Sequence, residues 1–402
     1  MNAPLAEHLA AFRRGAVDLI EEAELGQRLA AARAGGRGLR VKLGMDPSSP
    51  DLHVGHGILL RKLRDLQELG HTIVLIVGDA TALVGDPSGR NKLRPQLTRA
   101  EVEANLATYT AQARLALDMD RTEVRRNSEW FDTMSFEDVL RLAGRMTVAR
   151  MIQRDTFQKR IAEEEPIGIH EFLYPLMQGW DSVVVRADVE MGGTDQLFNL
   201  LVGRDLQVQE GQPPQVVLTT PLINGLDGRK MSKSYGNAIQ LTDPPRDLFG
   251  KTMSIPDEAV AEWFPLLTRL PEAELAGVLA GHPREAKARL AWELVAWIHG
   301  AAAADGARDA FDRQFVAKEL PADIPLIVYG GDWPAAGLPL SVLLREVGLV
   351  ASSSEARRLL KQGGVRVDGA VPAGADPLLV RPEGELLLQI GKRRFARVRR
   401  PA

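Results

Sequence analysis

The chain has 402 residues, 45% of them apolar and 26% charged, with a formal net charge of −3. That balance belongs to a globular protein with room for two to three domains, and it excludes disordered and collagen-like chains. No unbroken apolar run exceeds the length of residues 73–77, which is too short to span a bilayer, the N-terminus lacks the apolar stretch of a signal peptide, and the absence of cysteine excludes disulfides and thiolate chemistry and fits a cytoplasmic setting.

In chain order, residues 1–34 carry apolar residues at helical spacing and end at Gly35-Gly36, which predicts an all-helical start. From residue 39 the texture alternates. Residues 39–43 read as a strand, 56–69 as a helix stopped by Gly70, and 72–77 as a buried strand. Helices are expected over 98–117 and 135–154, and strands over 123–126, 187–191 and 215–219. Strand and helix alternating in this way predict an α/β fold with a parallel sheet covered by helices, whose ligands sit at the carboxyl ends of the strands. Residues 240–318 lose the strand signal and read as helical, for example over 286–299 and 308–318. A Pro/Gly-rich stretch, 321–340, reads as a linker. Beyond it, short helices over 340–347 and 353–362 precede a strand and tight turn at 365–369. No internal repeat is present. Residues 341–402 hold 12 Lys/Arg against 6 Asp/Glu while the rest of the chain holds 38 against 47. A basic C-terminal module on an acidic body fits a polyanionic partner, and equally a solvated basic tail.

Two segments carry chemistry. The strand near residue 43 runs through Gly44-Met-Asp-Pro into His53-Val-Gly-His56, where a helix starts. A helix N-terminus offers unpaired amides to an anion, Gly55 lets a flat base or a phosphate approach the backbone, and His53 and His56 can donate to phosphate oxygens while uncharged. Two surface histidines near a cap are the plain alternative. Farther along, Lys230-Met-Ser-Lys233-Ser sits between glycines, so a mobile loop can bring two positive charges to a polyphosphate. Its plain alternative is a solvated loop.

Together, H-x-G-H and K-M-S-K-S resemble the class I aminoacyl-tRNA synthetases. Three further segments, Gly85-Asp-Pro-Ser-Gly-Arg90, Tyr174-Pro-Leu-Met-Gln-Gly-Trp-Asp181 and Gly192-Gly-Thr-Asp-Gln196, are similar to bacterial tyrosyl-tRNA synthetases over nearly the whole chain. The segment from 341 resembles a small α+β RNA-binding fold shared with a ribosomal protein. The resemblance implies a Rossmann-like catalytic domain with its N-terminal helical segment over 1–236, a helical anticodon-binding domain over 237–320, the linker, and the RNA-binding domain over 341–402. It implies that Asp86, Tyr174 and Gln178 hold the ammonium of L-tyrosine beside Thr81, that Asp181 accepts the phenolic proton, and that Gln196 lies near the amino acid. Asp195 would bind the ATP ribose. Ser48, His53, Lys230 and Lys233 would meet the phosphates with His56 supporting the helix start, and Arg90 and Arg94 would face the pyrophosphate. Arg357, Arg358, Lys361 and Arg366, with Lys392, Arg393 and Arg394, would contact tRNA(Tyr). Mg²⁺ would arrive with ATP, because no dedicated metal cage is visible, and the family implies a homodimer with no membrane partner. One position departs from the pattern. Many bacterial members have tyrosine where this chain has Lys42, so the phenol would accept from Lys42 while donating to Asp181, or Lys42 would pair with an acid. Rival readings are a tryptophanyl-tRNA synthetase, from which Asp181 and the 192–196 segment point away, a small H-x-G-H nucleotidyltransferase, and a non-catalytic RNA-binding relative, which would not need both histidines and both lysines.

Overall fold

The computed structural model describes residues 3–47, 51–88, 97–232, 235–315, 324–380, 382, 384–391 and 394–401. The chain divides into two compact units, residues 1–308 and 309–402. The first begins with α1 (Leu5–Arg13), β1 (Asp18–Ile20), α2 (Glu22–Ala34), β2 (Arg40–Met45), α3 (Val54–Glu68), β3 (Thr72–Val77), α4 (Thr81–Val84), α5 (Arg99–Ala113) and β4 (Thr122–Arg126). It continues with α6 (Ser128–Phe131), α7 (Phe136–Ala143), α8 (Val148–Met151), α9 (Asp155–Ala162), α10 (Leu173–Val185), β5 (Val189–Gly193), α11 (Leu197–Gln209) and β6 (Val216–Thr220). Five helices close it: α12 (Pro245–Thr252), α13 (Asp257–Leu267), α14 (Glu272–Ala280), α15 (Pro283–His299) and α16 (Ala301–Phe315), the last of which runs past the division.

The sheet order is β1-β6-β5-β2-β3-β4, parallel throughout except for antiparallel β1. The chain therefore winds outward from β2 to β4 and returns to lay β5 on the other side of β2. Neighbouring strands whose connections leave in opposite directions open a crevice at their carboxyl ends, and here that point lies between β2 and β5. Strands buried on both faces need apolar residues throughout, as the 0% exposure of Val41, Ile73, Val74, Ile76 and Val189 shows. Helix α3, which contacts β3, buries Leu60, Leu63 and Leu66, all 0% exposed. Truncating one of them to alanine costs about 2–5 kcal/mol.

The all-helical start is corrected. Residues 18–20 form β1, because β6 otherwise has a free edge and Val17 N–H donates to Thr219 O at 2.9 Å. Glu21, at φ 66°, reverses the chain into α2. The single helix expected over 135–154 is interrupted after Ala143, and Thr147 caps a new helix by accepting from Arg150 N–H.

The second unit contains β7 (Leu326–Val328), β8 (Leu338–Pro339), α17 (Leu340–Glu346), α18 (Ser353–Lys361), β9 (Val365–Val367), β10 (Leu378–Leu379), β11 (Leu386–Ile390) and β12 (Arg394–Arg399). Its four-stranded sheet has the order β7-β12-β11-β9, and β8 pairs with β10. Leu340, Leu343, Val365, Leu388 and Val398 share one core at 0% exposure. The expected linker is thus structured where described, since β7 and β8 lie within it. Both strands are too short for any periodicity to show.

Candidate active site

A cavity of about 690 Å³ lies at the carboxyl ends of β2 and β5. His53, Gly55, His56, Asp195 and Lys230 line it. Thr81, Asp86, Tyr174, Gln178, Asp181 and Gln196 line the same cavity, so segments up to 177 residues apart in sequence meet in one place. Ser48, Arg90, Arg94, Lys233, Lys392 and Arg393 lie outside the described residues.

At the start of α3 the His53 and His56 rings stack at 4.0 Å, and His53 N–H donates to His56 Nδ1 at 3.2 Å. That bond leaves the His56 proton on Nε2. Burial lowers both imidazoles, to about 2 for His53 and about 4 for His56, with the Lys230 charge adding to the effect. Both are neutral donors at pH 7. A Cβ at position 55 would stand 2.9 Å from His53 Nδ1, so Gly55 makes room for that ring.

The acidic part of the cavity is cross-braced. Asp86 accepts from Ser88 N–H and from Gln196 Nε2, both at 2.8 Å, and from Arg154 Nη2 at 3.2 Å. Asp46, which the sequence reading did not single out, follows β2 directly. It accepts from Thr81 Oγ1 at 2.7 Å and from the Tyr174 hydroxyl at 2.9 Å. A Cβ on Gly78 would lie 1.9 Å from Asp46 Oδ1, so only glycine admits this carboxylate. Because Tyr174 donates to Asp46, the lone pairs on its hydroxyl remain available to a cation. Asp181 is 3% exposed and accepts from Trp130 Nε1 at 3.0 Å and Asn127 Nδ2 at 3.4 Å. Burial raises both acids to about 7, opposed at Asp46 by the Thr81 hydrogen bond and at Asp181 by the charge of Lys42.

Helix α10 carries Tyr174, Gln178 and Asp181 and sits close to α11, because a Cβ on Gly179 would meet Gly203 N at 3.0 Å. From α11, Asn199 Nδ2 donates to Gln178 Oε1 and Gln196 Oε1, both at 2.9 Å. Lys42 does not line the cavity; it pairs with an acid, Glu190, at 2.8 Å. Met231, 3% exposed, anchors the lysine loop in the core, while Lys230 Nζ reaches Asp195 Oδ2 at 3.1 Å. No cluster of metal-ligating side chains is present among the described residues. Asp46 and the supports Asn127, Trp130, Arg154 and Asn199 were missed. Only Asp46 had a local signal, as an acid directly after a strand at a predicted ligand-binding edge.

In the second unit, Arg357, Arg358, Lys361 and Arg366 are all exposed. Arg357 Nε reaches Asp376 Oδ2 at 3.1 Å, and Arg366 Nη1 reaches Gly369 O at 3.0 Å. Residue 361 stands four positions after 357 and three after 358 on α18, so it neighbours both on the helix surface.

Residues 34–316 match the family of class I tRNA synthetases for W and Y, and residues 338–371 match the S4 domain. A tyrosine--tRNA ligase of Syntrophotalea carbinolica is 51% identical over 98% of either chain. The chain belongs to the tyrosine--tRNA ligases. Membership makes it an aminoacyl-tRNA ligase that uses ATP, with an S4 RNA-binding domain at its C-terminus. A tyrosine--tRNA ligase of Thermotoga maritima is 49% identical over 98% of this chain and 97% of its own. Among solved structures, a C-terminally truncated Aspergillus nidulans mitochondrial tyrosyl-tRNA synthetase superposes with a TM-score of 0.64 at 26% identity, covering 77% of this chain and 94% of that one. An Archaeoglobus fulgidus enzyme complexed with L-tyrosine shares the fold, with a TM-score of 0.60 at 24% identity over 76% of this chain and all of that one.

Proposed function

We propose that the protein activates L-tyrosine with ATP and transfers the tyrosyl group to the 3′ end of tRNA(Tyr). The observation that carries this reading is one cavity lined by a helix start, a lysine and three acids, Asp46, Asp86 and Asp181, the last of them buried. The tyrosine carboxylate attacks the α-phosphorus, the bond to the bridging oxygen breaks, and pyrophosphate leaves. A hydroxyl of the terminal tRNA ribose then attacks the carbonyl carbon and AMP departs. Neither step requires a protein nucleophile. Catalysis comes from positioning and from fixed donors aimed at developing charge.

In this scheme Asp86, Gln178 and the Tyr174 hydroxyl receive the substrate ammonium, with Thr81 and Gln196 holding the acids in place. Asp181 receives the phenolic proton. His53, supported by His56, and Lys230 address the β- and γ-phosphates beside Gly55, with Ser48, Arg90 and Lys233 assigned to the same end by their motifs. Asp195 takes the ribose once ATP displaces Lys230 from it. Mg²⁺ enters as part of the ATP complex. Functional boundaries at residues 236, 320 and 341 belong to the same proposal, as do tRNA contacts by Arg357, Arg358, Lys361 and Arg366. So does a homodimer, supported by the exposed apolar side chains of Phe136, Leu140 and Val148. The cysteine-free composition supports a cytoplasmic setting.

Pyrophosphate exchange measured side by side with tyrosine and tryptophan tests the reading. Exchange is expected with tyrosine alone, and tryptophan-dependent exchange of similar size overturns it.

A further inference from the structure

Beside the cavity lies a polar cluster to which the scheme above gives no role. Lys42 and Glu190 stand directly opposite one another on β2 and β5. Both side chains are 0% exposed, and Nζ lies 2.8 Å from Oε1. Burying two charges costs several kcal/mol per ion, so a pair of this kind adds little stability and persists only where every remaining polar atom is satisfied. Here that condition is met. The ammonium has three donors, and they go to Glu190 Oε1, Ser182 Oγ and the backbone carbonyl of Gln178, each at 2.8 Å. The second Glu190 oxygen accepts from Ser182 Oγ at 2.9 Å and from Gln215 Nε2. Lys42 has no donor left for a substrate.

Two of the three Lys42 acceptors belong to α10, the helix that brings Tyr174, Gln178 and Asp181 to the cavity. Glu190 acts on the same helix, because Gln178 Nε2 donates to Glu190 Oε1 at 3.3 Å while Gln178 Oε1 accepts from Asn199 at 2.9 Å. A side-chain amide has one donating and one accepting end, and a buried carboxylate accepts only from the donating end. Glu190 and Asn199 together therefore fix which way the Gln178 amide is turned, and of the two only the carboxylate cannot turn round to donate. With the nitrogen held toward Glu190, the oxygen is the end offered to a ligand, and an ammonium needs an oxygen.

We infer that Lys42 and Glu190 form a positioning pair for the amino-acid subsite, fixing α10 at Gln178 and Ser182 and turning the Gln178 amide so that its carbonyl oxygen meets the substrate ammonium. The inference rests on the reading of Gln178 as an ammonium ligand. Neither member of the pair touches substrate. The effect passes through Gln178, and it is specific to the ammonium.

The test uses the full chain and two probes, L-tyrosine and 3-(4-hydroxyphenyl)propanoate, which has the phenol and carboxylate without the ammonium. Their dissociation constants are measured for the wild type and for Lys42→Met/Glu190→Met, which removes both charges and so leaves no ion unpaired. The variant is expected to bind tyrosine at least tenfold more weakly and the ammonium-free probe within about twofold of wild type. Glu190→Gln, which keeps an amide oxygen for Lys42 and Gln178, should retain the wild-type ratio of the two affinities. Lys42→Met, in which Glu190 can take up a proton, is the second variant should the double one fail to fold, and a fall in the ratio is expected there too. A ratio unchanged in the double variant, or in Lys42→Met where only that folds, overturns the inference, as does equal weakening of both probes. Gln178→Ala separates this failure from that of the underlying reading. If Gln178→Ala leaves the ratio unchanged, Gln178 is no ammonium ligand and both fall; if it lowers the ratio while the pair variants do not, only the pair's role falls.

Discussion

At the residue scale, the role proposed for Asp181 in recognising the phenol is set against the stability of the fold. It is buried among Trp130, Asn127 and apolar neighbours and titrates near 7 instead of near 4. A raised carboxyl binds its proton more tightly in the folded state than in the unfolded one. Its contribution to stability is therefore complete below about pH 4 and is lost as pH rises through about 7. Asp181→Asn, which keeps an acceptor without the charge, is expected to gain on the order of 1–4 kcal/mol over the wild type at pH 8, with the gain shrinking toward pH 5. The same variant should raise the KM for tyrosine about tenfold or more, because a hydrogen bond to a neutral acceptor replaces one to an ion. Calorimetry at the two pH values with exchange kinetics checks both, and equal melting temperatures at pH 8 would sink the stability argument. In the wild type, kcat/KM for tyrosine should fall as pH drops below about 7, where Asp181 and Asp46 take up protons. That His53, Gly55, His56 and Lys230 share one cavity was legible because each belongs to a motif contiguous in sequence. Asp46 acquires its meaning only when β3 and α10 bring Gly78, Thr81 and Tyr174 around it, and Asn127 and Trp130 matter only because α6 passes Asp181.

At the scale of elements, a side chain outside the motif, that of Asn237, holds the backbone of the lysine loop. Asn237, 2% exposed, accepts from Ser232 N–H at 2.8 Å and donates to the carbonyls of Arg229 and Lys230, both at 3.2 Å, and to Asp227 at 2.6 Å. Asn237→Ala removes these bonds, each worth about 0.5–1.5 kcal/mol net, since water can reach the partners left behind. On the proposal that Lys230 meets the ATP phosphates, the KM for ATP should rise about tenfold while that for tyrosine stays within about twofold. Exchange rates titrated separately in each substrate report this, and a parallel rise in both constants would place Asn237 outside loop positioning. In the sequence Asn237 is only an asparagine after a glycine, since its partners are backbone atoms that meet it once the loop has folded. Long amphipathic or uniformly apolar segments such as α3 and β3 were legible for the opposite reason, their pattern being local. The three-residue β1 carries no such pattern and exists because β6 has an edge to cover.

At the scale of the whole molecule, the two units carry different charge. The basic surplus lies in residues 341–402, whereas the cavity is lined entirely by residues of the first unit, between Leu43 and Met231. A chain ending at residue 323 retains every described residue of that cavity and every strand of the six-stranded sheet. It should fold and exchange pyrophosphate at close to the full-length rate. A C-terminally truncated relative of the same fold has been crystallised, which favours this expectation. Transfer to tRNA should behave differently. Every phosphate that a basic side chain no longer neutralises lowers the slope of log affinity against log salt by roughly 0.7–0.9, so removing Arg357, Arg358, Lys361 and Arg366 together should flatten it by about 3 units. Tyrosine activation and tRNA charging, measured for both chains from low to moderate salt, separate the two roles. Equal charging with equal salt slopes would leave the basic surface without a part in tRNA binding, and loss of exchange on truncation would show that the first unit depends on the second.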